Sequence, residues 1–376
     1  MKISTEIARI GLKIGFKLRH RFIYTFENFD SKRKDAYILI FNHSQLNDAL
    51  FIAKSLPHYP YPVASNLLYT DPATKFGLTK LVTSIPKRKG QADSNAIRKI
   101  MHAINKENRG IMVAPEGNSS FYGNETKTDF RSTAKLVKKL KKDLVVAQVN
   151  GGFFSHPRWG KSRLRSIVEI HYKTLIKSDA YDNYSIEDIM DLMEKHIAFN
   201  DYTWNEKRKY TYRHKNLAKH IERVIYACPT CGSIQTIKGK NNDIHCSSCG
   251  KIAHINKYQK IEGPFDTLIK WNVYQKKLLH EKLEQSYEFF GKLYELDLKQ
   301  LKRYKKGKFK VIQHLDHVEM INKTTTKVFD IDKISGITLT QKNNISFDYL
   351  DKTYSIRMTD PMLFRDLIKT KKGALS

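Results

Sequence analysis

Along the first 180 residues, short apolar runs alternate with stretches in which apolar positions recur every three or four residues. Residues 37–41, 62–66, 111–114, 144–149 and 166–172 read as strands, several of them apolar enough to be buried on both faces. Between them, Ala49 to Leu56 and Ser94 to Asn105 have helical spacing. In the second stretch Ile97, Met101 and Ile104 share one face, with Asp93 or Ser94 placed as a cap. This βαβ rhythm predicts an α/β domain built on a mostly parallel sheet flanked by helices. Ser185-Ile186-Glu187-Asp188 has the form of a capping box and opens a helix through Ile189, Leu192, Met193 and His196. A basic, aromatic-rich helix is expected to follow, to about Tyr226.

The pattern then breaks. Cys228-Pro229-Thr230-Cys231 and Cys246-Ser247-Ser248-Cys249 are separated by fourteen residues, each pair is followed by glycine, and these are the only four cysteines. Two such pairs supply four thiolates for a tetrahedral zinc ion, and Gly232 and Gly250 let the backbone turn beneath it. A redox dithiol accounts for one pair and leaves the other unexplained. A closed four-sulfur site is structural, since no position is open for chemistry. Beyond the ribbon, residues 257–307 read as a helical linker, with Phe265 to Lys306 forming an exposed, lysine-rich arm. Residues 308–376 read as a small β-rich module of pleckstrin-homology-like pattern. Its strands include Ile345 to Tyr349 and Thr353 to Arg357, its turns fall at Asn343-Asn344 and Asp351-Lys352, and a last helix runs from Pro361 to Lys369.

Composition adds a partner. Lys and Arg number 67 against 38 acidic residues in 376, a formal charge of +29 that calls for something anionic: nucleic acid, an acidic lipid surface or phosphorylated substrates. The first 21 residues hold six basic side chains and one acid, with Ile3, Ile7, Ile10 and Ile14 at helical spacing. That segment reads as an amphipathic membrane-surface helix or as a first helix packed on the core. No stretch approaches the ~20 apolar residues that span a bilayer, and no apolar secretory signal opens the chain. The expectation is a cytoplasmic protein, peripheral on the inner face of the membrane.

Candidate chemistry sits at two strand ends. Asn42-His43-Ser44 follows the run 37–41, and Asp48 comes five residues after His43, inside the next helix. A histidine beside a helix N-terminus with a carboxylate in reach can accept a proton from an alcohol. The run 111–114 leads into Pro115-Glu116-Gly117, where Glu116 can take hydrogen bonds and Gly117 permits close backbone approach. Between these blocks lies Ile85-Pro86-Lys87-Arg88-Lys89, a basic trio suited to a phosphate, in which the planar fork of Arg88 is the better ligand. Lys138 to Lys142 and Arg158 to Arg165 are further basic runs, read as solvated faces or as patches facing a membrane or an acyl carrier.

Those three pieces in that order resemble the glycerolipid acyltransferase family, of the type that acylates 1-acylglycerol 3-phosphate. The resemblance covers about residues 1 to 225, with the domain proper at 22–225 and the ribbon at 226–256. It implies that His43 is the base, Asp48 its orienting partner and Arg88 the phosphate clamp. Lys87, Glu116 and Gly117 would help to hold the acceptor, the strand Val145 to Val149 would form the fourth block, and Arg131 in Phe130-Arg131-Ser132-Thr133-Ala134 would add charge near the phosphate. It further implies a lysophospholipid acceptor and an acyl thioester donor, either acyl-CoA or acyl-acyl-carrier protein, in phospholipid synthesis. The sequence departs from the family at Asn118-Ser119-Ser120, where Thr-Arg-Ser is usual, and at Val146 to Asn150, which lacks the usual proline. Glycerol 3-phosphate or another lysophospholipid is the alternative acceptor. A zinc-ribbon nucleic-acid binder is the competing class, resting on the charge, the ribbon and 20 Tyr, 19 Phe and 3 Trp. It leaves the two acidic strand ends unexplained and ranks second.

Overall fold

The computed structural model describes residues 20–88, 93–126, 128–160 and 166–373. The amphipathic segment at 3–14, Lys89 and most of the run 158–165 lie outside them. The chain divides into two compact units, one of Met1–Arg158 with Ser162–Arg213, the other of Trp159–Lys161 with His214–Ser376.

The first unit is a seven-stranded sheet in the order β1-β7-β6-β2-β5-β3-β4. Its strands are β1 (His20–Glu27), β2 (Ile38–Phe41), β3 (Tyr61–Ser65), β4 (Ile85–Lys87), β5 (Ile111–Val113), β6 (Leu144–Asn150) and β7 (Ser166–Ile176). Neighbours run parallel except β6 and β7. The helices are α1 (Asp48–Ser55), α2 (Pro72–Phe76), α3 (Ser94–Asn105), α4 (Arg131–Leu140), α5 (Gly152–Ser155), α6 (Ile186–Ile197) and α7 (Asp201–Arg208). Alternation along β2 divides the core. Ile38 and Ile40 face Ile100, Val137, Ile189 and Met193 of α3, α4 and α6, whereas Leu39 and Phe41 face Phe51 and Ile52 of α1. Burial on both faces accounts for the uninterrupted apolar run. Asp93 caps α3 by accepting from Ala96 N–H, and Ser185 and Asp188 close the expected capping box on α6.

The helix expected to reach Tyr226 stops at Arg208. Asn205 turns its amide onto Tyr210, accepting from the backbone N–H at 3.0 Å and donating to the carbonyl at 3.0 Å, and Lys209 takes a left-handed conformation. A side chain that offers the backbone such partners competes with helix continuation. The first unit accordingly closes at Arg213, twelve residues before the sequence boundary at 225.

The second unit joins a four-stranded ribbon sheet, ordered β11-β10-β9-β8, to a seven-stranded antiparallel sheet, ordered β15-β14-β13-β12-β18-β17-β16. The ribbon strands are β8 (Ile237–Lys240), β9 (Asp243–Cys246), β10 (Gly250–Ile255) and β11 (Ile261–Glu262). Helix α8 (Leu268–Glu281) follows, then β12 (Tyr287–Asp297), β13 (Lys302–Gln313), β14 (His317–Ile321), β15 (Thr326–Asp330), β16 (Ile334–Leu339), β17 (Asn344–Tyr349), β18 (Lys352–Met358) and α9 (Pro361–Lys371). The helical arm expected over residues 257–307 is corrected on two counts. Only 268–281 are helical, and α8 is no exposed arm: Trp271 is fully buried and donates its indole N–H to Ala227 O at 2.9 Å. Residues 287–297 are a strand whose inward side chains Tyr287, Phe289 and Leu293 are buried, with Phe289 edge-on to Phe364 of α9. The outward face also carries Phe290 and Tyr294, so apolar residues at 287, 290 and 294 imitate helical spacing.

Candidate active site

Because β2, β5, β3 and β4 run parallel, their C-terminal ends share one edge of the sheet, where ligands of open α/β sheets bind. His43 leaves β2 there. Its ring Nδ1 lies 3.1 Å from Asp48 Oδ2. Asp48 is the first residue of α1 and is completely buried. Its other contacts fix the carboxylate: Ser44 Oγ donates to Oδ1 at 2.9 Å and the Gln45 N–H donates to Oδ2 at 2.9 Å. A buried carboxylate with donors on both oxygens is fixed in place. It therefore keeps the imidazole proton on Nδ1. Nε2 then presents its lone pair, and the His43 side chain is 21% exposed.

Glu116, leaving β5, joins the same cluster. Its Oε1 accepts from the His43 backbone N–H at 2.7 Å and its Oε2 from Thr126 N–H at 2.6 Å, while Ser120 N–H returns a bond to His43 O at 2.7 Å. Burial pushes the Glu116 carboxyl up to about 8, against the pull of those two N–H donors, and the Asp48 charge adds to the rise. Glu116 thus acts on the loop that carries the histidine. Gly117 takes a left-handed conformation at φ 67° and turns the chain after it.

The phosphate candidates stand further along the edge. Carrying the pairs Ile38↔Ile111↔Tyr61 and Val63↔Ile85 across the sheet puts residue 88 level with residue 43. Three inter-strand steps separate them, about 14 Å at the usual ~4.8 Å spacing. Arg88 is exposed, its backbone N–H held by Asp93 Oδ2 at 2.8 Å, and Lys87 is half-buried at the end of β4. Arg131 opens α4, with its guanidinium 2.9 Å from Glu187 in an exposed ion pair. Lys138 and Lys141 are engaged with Tyr184 O and Asp182. Arg158 corrects the reading of its run as a solvated face: it is 3% exposed, stacks on Phe121 and donates to Ser119 O at 2.7 Å and to Ser119 Oγ at 2.9 Å.

Several supporting residues escaped the sequence reading. Asn42 ties β2 to β6 by donating to Val149 O at 2.7 Å and accepting from Val149 N–H at 2.6 Å. Asp201 accepts from Gly151 and Phe153 N–H at 2.9 and 3.0 Å, and burial pushes its carboxyl up to about 7. Gly152 lies so close to Ser44 that a Cβ there would sit 2.0 Å from its Oγ. These hydrogen bonds join residues 48 to 107 apart, so no local pattern announces them.

The second unit holds the metal candidate. The four cysteine Sγ atoms lie within 4.8 Å of one another, with 4.0 Å between Cys228 and Cys249 and 3.8 Å between Cys231 and Cys246. A tetrahedron with ~2.3 Å Zn–S bonds has edges of about 3.8 Å, close to both of these distances, so the cluster suits a zinc ion. Gly232 and Gly250, at φ 67° and 75°, make the turns the knuckles require.

The family model described as Acyltransferase matches residues 22–153, the segment that carries both acidic strand ends. The chain thus carries an acyltransferase-family domain. Among solved structures, the 1-acyl-sn-glycerophosphate acyltransferase of Thermotoga maritima is similar at 15% identity and a TM-score of 0.41, over 56% of this chain and 80% of that one. A Ran-binding domain of a nuclear complex component from Ashbya gossypii is similar at 15% identity and a TM-score of 0.19, over 25% of this chain and 100% of its own. No curated protein sequence matches.

Proposed function

We propose that the first unit transfers a fatty acyl group from a thioester donor to the free hydroxyl of a lysophospholipid, with 1-acylglycerol 3-phosphate as the proposed acceptor. The observation that carries this reading is the His43–Asp48 pair at 3.1 Å, mounted at the sheet edge and braced by Glu116 through the His43 backbone. His43 Nε2 takes the hydroxyl proton as the oxygen attacks the thioester carbonyl. Asp48 stabilises the imidazolium that forms. Collapse of the tetrahedral intermediate expels the thiolate, which recovers the proton from His43 and leaves as thiol. No acyl-enzyme is needed, and acyl-CoA or acyl-acyl-carrier protein serves equally as donor.

Arg88, level with His43, is assigned to the acceptor phosphate, with Lys87 beside it and Arg131 adding positive charge; Gly117 lets the acceptor approach the Glu116 turn. Attraction of a strongly basic chain to an anionic leaflet brings the enzyme to its substrate, and no described helix is long and apolar enough to cross a membrane. Zinc at Cys228, Cys231, Cys246 and Cys249 has a structural role in this reading. The test is release of free thiol from acyl-CoA with 1-acylglycerol 3-phosphate, glycerol 3-phosphate or no acceptor. Release with the first, lost in Arg88→Gln through a raised KM, supports the assignment. Faster release with glycerol 3-phosphate reassigns the acceptor, and no acceptor-dependent release contradicts the reading.

A further inference from the structure

The antiparallel sheet of the second unit has two faces. One packs on α9; the other carries a row of cations. In the register of β13, β12 and β18, Lys308 stands opposite Lys292, and Lys292 opposite Arg357, so three positive side chains lie abreast on neighbouring strands. Like charges directly opposite in a sheet are destabilising. Among the described residues, none of the three has a carboxylate within ion-pair distance, although Lys310, two pairs along the ladder, is bridged to Glu288 at 2.7 Å.

The row floors a cleft of about 730 Å³ within this unit, a volume typical of small-ligand sites. Arg223 and Lys238, beside and within the ribbon, and Lys323 also line it. Glu222 is the one acidic residue in the lining. Burial lowers the Arg223 pKa, the Glu222 carboxylate opposes that fall, and the Arg357 charge adds to it. The lining is not purely polar: Phe290, 63% exposed, and Met358 lie beside the cations. A concentration of positive charge, unpaired at Lys292, Lys308 and Arg357 among the described residues, with an adjoining apolar wall fits a ligand with a phosphate at one end and hydrocarbon at the other.

We propose that this cleft is a binding site for the headgroup of an anionic phospholipid, separate from the acyltransferase site and carried by other residues. The phosphate would lie across Lys292, Lys308 and Arg357, relieving their mutual repulsion, with the glycerol end against Phe290. Because Lys238 of the ribbon lines the cleft together with the β module, the site gives the segment that carries the four cysteines a part in recognition.

The test is calorimetric titration of the full chain with water-soluble dihexanoyl phosphatidic acid, with inorganic phosphate and with a short DNA duplex, for wild type, Lys292→Gln/Arg357→Gln and His43→Ala. The double variant should lose a stoichiometric lipid-binding step, at least tenfold in affinity, while His43→Ala retains it; inorganic phosphate should bind at least tenfold more weakly. Removing two repelling cations should raise the melting temperature of the double variant at low salt, which separates loss of the site from loss of the fold. Undiminished lipid binding in the double variant overturns the proposal. Equal affinity for inorganic phosphate would assign the cleft to a soluble phosphate ester, and tighter DNA binding sensitive to the same substitutions would assign it to nucleic acid; either also overturns it.

Discussion

The edge of the first sheet and the outer face of the last both gather charge, and they treat it in opposite ways. At the edge, both oxygens of Asp48 are met by donors within 3.1 Å. On the outer face, Lys292, Lys308 and Arg357 stand in line with no acidic partner among the described residues. A charge whose partners are built in is fixed in place, which suits a group that must orient a proton acceptor. A charge without partners costs stability and is available, which suits a group that must meet an anion arriving from solution.

The largest effect expected is on the unit that carries the unpaired face. Structural zinc commonly contributes ~10–16 kcal/mol of apparent binding free energy in small domains. Chelation should therefore abolish the thermal transition of the second unit, and each chain should hold one zinc by elemental analysis. A folded, metal-free second unit with an unchanged transition would remove the ribbon from the account. Next, His43→Ala should slow acyl transfer by about 10² to 10⁴, the usual value of general-base assistance, with the melting temperature unchanged.

Gly152→Ala probes the built-in partners directly. A methyl 2.0 Å from Ser44 Oγ must displace the hydroxyl from Asp48, so kcat should fall together with stability, by ~1–3 kcal/mol as for other overpacked cores. Retained activity at full stability would show that Ser44 does not hold the carboxylate.

Glu116 gives a pH signature of smaller size. Its folded value of about 8 lies above its ordinary 4.5, so the protonated carboxyl adds stability that is fully present below 4.5 and is lost as pH rises through 8. The melting temperature of wild type should accordingly fall relative to that of Glu116→Gln between those limits. Parallel curves would mean that Glu116 ionises normally. Smallest is Lys292→Gln alone, which should gain ~0.2–1 kcal/mol at low salt and nothing at high salt, where screening already relieves the row.

Much of the first region was readable in the chain itself. The apolar runs at 38–41 and 111–113 placed the strand ends, and a five-residue offset brought Asp48 to His43 because a turn and a helix start fit between them. Glu116 was found as a carboxylate at a strand end, but its action on the His43 N–H was not, since that bond joins residues 73 apart and depends on the β2–β5 pairing. Arg158 was misjudged for a related reason: a basic run looks solvated until Phe121 and Ser119 are seen to enclose it. The outer-face row was hidden more deeply. Residues 287–297 have aromatic side chains on both faces, which masks their alternation, and three lysine or arginine residues 16 to 65 positions apart become a row only through strand register.

The most direct test of the central claim is a double-mutant cycle on the rate of thiol release, with His43→Ala, Asp48→Asn and both together. If Asp48 works by orienting and stabilising the His43 ring, each single change is severe and the double variant is no slower than His43→Ala alone. Losses that multiply, or a His43→Ala variant as fast as wild type, would contradict a proton-accepting pair at this edge.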